Sequence, residues 1–173
     1  MNHSASAMLL GMLTGLAAGG VCLFWLFRKK VLDLTFDERQ ERARGKAYQY
    51  GFFTLLTCML LYGMSEMVVG RWCDAWAGCC LCAAAGMVVF AVTCILKNAY
   101  LSLRERPRYI MTLLALLSAA NIGIGLMQGA GEGLAAEGVL TYRVSNLAVG
   151  IASLLVLIVY LVNFVLCREG EEE

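Results

Sequence analysis

The chain has 173 residues, of which 60% are hydrophobic and 16% charged, with a single proline and a net charge of +1. Soluble domains run at roughly 45–50% apolar and about 25% charged, so this balance excludes an ordinary water-soluble domain. Near-neutral charge also gives nucleic-acid binding no electrostatic footing.

Charges are missing in blocks. None occurs in 5–27, 75–96, 110–131 or 144–167, and 47–70 holds only Glu66. A run of about 18 or more apolar residues crosses a hydrocarbon core some 30 Å thick as a helix. In lipid every backbone polar group needs an internal partner, which forces helix there. The expected fold class is therefore all-α. One integral membrane domain over 1–173 forms a polytopic bundle of five transmembrane helices, at about 6–27, 50–70, 75–96, 110–128 and 145–166. A short charged cytoplasmic helix leads into the second.

The first span is read as a retained anchor rather than a signal peptide. No Lys or Arg precedes it, it exceeds an h-region of about 7–15 residues, and Arg28-Lys29-Lys30 follows it. Within it Ala7, Gly11, Gly15 and Gly19 recur every four residues. Small residues at that spacing let a second backbone approach closely, either inside the bundle or in a homo-oligomer.

The loop 28–49 follows. Thr35 and Glu38 match a capping box, which predicts a helix from about Phe36. That helix either runs on into the second span or breaks near Gly45 or Gly51. Glu38 and Arg42 stand four apart and pair on one face. Two roles are open for Asp37, Glu38, Arg39, Arg42, Arg44 and Lys46. They form an ordinary basic loop against lipid headgroups, or a surface that docks a cytoplasmic partner.

In the second span Thr54, Cys58, Tyr62 and Glu66 recur every fourth residue, a semi-polar stripe that should face the bundle. Glu66 is either an acid at the outer surface paired with Arg71 or Arg143, or a proton or cation site aided by Tyr62 or Asn121. Cys73, Cys79, Cys80 and Cys82 lack the paired spacing of a zinc site, so they read as small apolar residues, and no metal or cofactor is expected. Pro107 opens the fourth span, where its missing N–H costs nothing. Ser118, Asn121 and Gln128 in that span and Ser145, Asn146, Ser153 and Asn163 in the fifth predict a shared polar interior of spans two, four and five. The segment 129–144 reads as a flexible external loop and 168–173 as an acidic tail.

Orientation follows from the cations. Twelve of the fourteen Lys and Arg fall in 28–49, 97–109 and the tail, and two, Arg71 and Arg143, fall on the other side. Lys and Arg near membrane helices stay cytoplasmic. The N-terminus is thus expected outside and the C-terminus inside, in a cell membrane.

The strings "FDERQ", "RGKAYQYGF", "KNAYLSL" and "GVLTYRVSNL" resemble an uncharacterised family of small multi-pass membrane proteins of Gram-positive anaerobic bacteria. The resemblance runs from Phe36 to about Gly150. It implies a bacterial membrane protein and supplies no catalytic or ligand residues.

No catalytic constellation is present: neither Gly-x-Ser-x-Gly, a Walker loop, nor His-Glu-x-x-His. The expected function is a non-catalytic membrane protein, an accessory or regulatory subunit whose partners are the bilayer and a membrane or cytoplasmic protein docked through 35–49. The alternative is a small transporter or channel for protons, cations or a small solute, using Glu66 and Asn121.

Overall fold

The computed structural model describes residues 36–101 and 107–169, and before them 14, 17, 20, 21, 24 and 28. The chain divides into two compact units, 1–35 with 102–105 and 36–101 with 106–173. In the first unit the six described positions are each helical. Gly11, Gly15 and Gly19, with most of the expected 6–27 span, lie outside the described residues.

The second unit is all-helical apart from a minimal hairpin. Its elements are α1 (Glu38–Val69), α2 (Ala75–Leu96), α3 (Pro107–Glu132), β1 (Ala135–Ala136), β2 (Val139–Leu140) and α4 (Val144–Glu169). All four helices are long and apolar enough to cross a membrane. They correspond to four of the five expected spans. Pro107 does open α3.

The helix α1 has 32 residues. At 1.5 Å per residue that is about 48 Å, well beyond a hydrocarbon core of about 30 Å. It runs without a break through Gly45 and Gly51. The expected capping box is corrected. Its members are Asp37 and Gln40, because Asp37 holds the extended cap conformation and its carboxylate accepts from the Glu38 N–H, while the Gln40 side chain accepts from the Asp37 N–H at 3.2 Å. Thr35 lies outside the described residues.

The helices lie in the spatial order α1, α2, α4, α3, each packed on the next. This overturns the expected shared interior of spans two, four and five, since α2 stands between α1 and the α3–α4 pair. The cause is side-chain size. Apolar helices gain nothing in lipid by burying apolar surface against one another, so close packing selects small residues. The buried residues of α2 are mostly Ala, Gly and Cys. One of its faces meets α1 through Gly78 and Gly86. Another carries Ala91 and Ile95, which with Val156 of α4 form the buried apolar cluster.

The expected flexible loop 129–144 is also revised. Its first residues continue α3 to Glu132, and the rest folds as the β1–β2 hairpin. Glu137 and Gly138 turn it, both at positive φ (52° and 80°), the geometry of a type I′ turn. The hairpin clasps the α1–α2 connector: Leu140 N–H donates to the Trp72 carbonyl at 2.9 Å and Asp74 N–H to the Leu140 carbonyl at 2.7 Å.

Candidate functional site

Three groups of polar side chains stand out, one at each end of the α1–α2 pair and one between α3 and α4.

At the N-terminal end of α1 one helix face is fastened down. Gln40 Nε2 donates to the Asn98 carbonyl at 3.0 Å, and Arg44 Nη1 to the Ala99 carbonyl at 3.2 Å. The Arg44 guanidinium also lies 4.1 Å from the Phe36 ring centroid and 5.7 Å from that of Phe90. Ala47 and Gly51 continue the same face and are buried. The acceptors exist because α2 ends in a Schellman motif. Asn98 takes φ 51°, Ala99 N–H donates to Cys94 O and Asn98 N–H to Ile95 O. Asn163 of α4 donates to Asn98 Oδ1 at 3.4 Å, tying a third helix to this turn.

The other face of this segment is open. Glu38, Arg39, Arg42 and Lys46 are exposed and fall within about 100° of helix surface at 3.6 residues per turn. Arg42 pairs with Glu38 at 2.6 Å, as the spacing predicts. Of the six charged residues singled out in the sequence, Asp37 is spent on the cap and Arg44 on internal contacts. Sequence reading missed Gln40 and Asn98. The signal for Asn98 was an Asn just past the end of an apolar helix, a common left-handed stop.

At the other end Tyr62 organises a network. Its hydroxyl donates to Glu66 Oε1 at 2.8 Å and reaches the Cys73 carbonyl at 3.3 Å. Trp72 Nε1 donates to Ser65 Oγ at 2.8 Å, and the Trp72 ring stands edge-on to Tyr62 at 5.8 Å. The Tyr62 ring lies directly over Gly78, where a Cβ would collide with it. Beside these residues an apolar cleft of about 360 Å³ is lined by Cys58, Tyr62, Ser65, Trp72, Gly78 and Cys82, among others.

Tyr62 is thus brought to Glu66. The expected cation partners are not. Arg71 binds Asp74 at 2.7 Å, and Arg143 Nη1 donates to the Gly133 carbonyl. Cys73, within the connector, is fully buried, and burial, with the Asp74 and Glu66 carboxylates adding to it, pushes its thiol up from the ordinary value of 9.0. Among the described residues no three His, Cys, Asp or Glu could hold a metal ion.

Asn121 and Asn146 belong to the α3–α4 pair, not to this network. Asn121 Nδ2 donates to the Leu117 carbonyl of its own helix. Asn146 Nδ2 donates across to Gln128 Oε1 at 3.1 Å, and Ser118 Oγ to the Gly150 carbonyl at 3.0 Å. These bonds join two helices that approach closely at Gly150, where a Cβ would lie 2.8 Å from the Ile122 nitrogen. Comparison with known protein families, with curated proteins and with solved structures finds no match.

Proposed function

We propose that this chain is a non-catalytic integral membrane protein, an accessory or regulatory subunit, whose α1 extension docks a cytoplasmic partner. One observation carries the reading. The first turns of α1 are anchored on their inner face by Gln40 and Arg44, while Glu38, Arg39, Arg42 and Lys46 stand exposed on the outer face. A helix held in place presents its charges in fixed geometry, which lowers the ordering cost of binding. The bias of Lys and Arg supports placing this end in the cytoplasm, with the N-terminus outside. The sequence resemblance supports a bacterial cell membrane.

The test is recovery of bound protein in mild detergent. Arg39→Glu with Lys46→Glu should release a partner that wild type retains, while membrane insertion stays intact. Equal recovery from both removes the proposal.

Proton or cation passage is the second reading. Its support is Glu66, which accepts from Tyr62 beside an apolar cleft and makes no ion pair among the described residues. Against it, α1 has no extensive interface with α3, which carries Asn121. Flux in proteoliposomes that survives Glu66→Gln, or is absent from wild type, ends this reading.

A further inference from the structure

The seam between α1 and α2 has a regular register. Gly51 meets Phe90, Leu55 meets Gly86, and the Tyr62 ring covers Gly78. The helices are antiparallel, so each turn forward on α1 is matched by a turn back on α2. The seam position between the last two contacts is Cys58 on α1 and Cys82 on α2. Both thiols are free, Cys58 half-buried and Cys82 buried, and both line the same apolar cleft. One turn along the seam the two backbones come close together. A Cβ on Gly86 would lie 3.0 Å from the Leu55 Cβ and 3.6 Å from its Cα. A disulfide asks only for Cβ atoms about 3.5–4.5 Å apart.

We propose that Cys58 and Cys82 form a cross-helix dithiol that closes reversibly to a disulfide, with a bilayer-soluble quinone as oxidant. The two S–H bonds break and one S–S bond forms. The two electrons and two protons pass to the quinone, which leaves as quinol. The cleft of about 360 Å³ beside both sulfurs supplies the apolar approach such an oxidant needs. Dithiol and disulfide are both neutral, so the completed exchange leaves no net charge in an apolar seam, where a charge is costly. Two sulfurs without a third donor suit few metal ions. The disulfide would lock α1 to α2 at mid-seam. Cys79, three residues from Cys82 on the same helix, is exposed.

The experiment uses membranes containing the full chain. They are treated with a short-chain quinone, the remaining thiols are alkylated, and a non-reducing digest is mapped by mass spectrometry. The expected result is a peptide linking Cys58 to Cys82 that dithiothreitol cleaves, with a raised unfolding temperature for the oxidised protein in detergent. Cys58→Ser should abolish both the link and the shift, and Cys79→Ser should leave both. Full alkylation of Cys58 and Cys82 in quinone-treated wild type overturns the proposal, as does a link from either one to Cys79. The decisive measurement is on wild type, so a variant that folds badly does not blur it.

Discussion

Gly51 and Gly86 meet face to face: a Cβ on either would lie 3.0 Å from the carbonyl oxygen of the other. The α1–α2 pair depends on that approach. Gly86→Leu should destabilise the protein by about 1–3 kcal/mol, the usual cost of overpacking. Gly45→Ala is the control. It sits in α1, the helix of Gly51, with nothing within 4 Å, so it should be neutral or stabilising by up to about 1 kcal/mol. Thermal unfolding in detergent reads both, and equal shifts would dissolve the contrast.

Removing one oxygen tests the network at the connector end. Tyr62→Phe keeps the ring over Gly78 and its contact with Trp72 but loses the bonds to Glu66 and the Cys73 carbonyl. An intramolecular hydrogen bond contributes about 0.5–1.5 kcal/mol net to stability. A loss in that range is expected in a reversible unfolding assay, and Glu66→Gln with Tyr62→Phe should cost less than the two single losses combined. Full additivity would mean that the two side chains do not interact.

The Cys73 thiol gives a pH signature. Its proton is held more tightly in the folded chain than in the unfolded one. Its contribution to stability is therefore complete below the ordinary thiol range and declines as pH rises past about 9. Unfolding midpoints between pH 8 and 10 should fall more steeply for wild type than for Cys73→Ala. In detergent at neutral pH a small alkylating reagent should modify exposed Cys79 well before buried Cys73. Comparable labelling rates would contradict the burial.

The two arginines of the α1 extension should part company. Arg44→Ala loses the bond to Ala99 and the stacking on Phe36, at a cost of about 1–2 kcal/mol. Arg39→Ala, exposed, should change stability by no more than about 0.5 kcal/mol. In the docking proposal the order reverses for partner retention, where Arg39 matters directly. Stability loss at Arg39 equal to that at Arg44 would refute the division into an inner and an outer face.

The sequence alone determined where the membrane-length helices lie. An apolar run of that length with at most one charge has one stable state in lipid, and the four described helices fall on four of the five predicted runs. Local chemistry also carried the Glu38–Arg42 pair and the start of α3 at Pro107, because both depend on neighbours a few residues away. Tertiary structure decided the rest. That α2 separates α1 from α4 depends on which small residues face which helix, and apolar helices in lipid carry no amphipathic stripe to announce it. Arg44 and Lys46 look alike in the sequence, yet only Arg44 points at the carbonyls freed by the turn at Asn98, a partner more than 50 residues away along the chain.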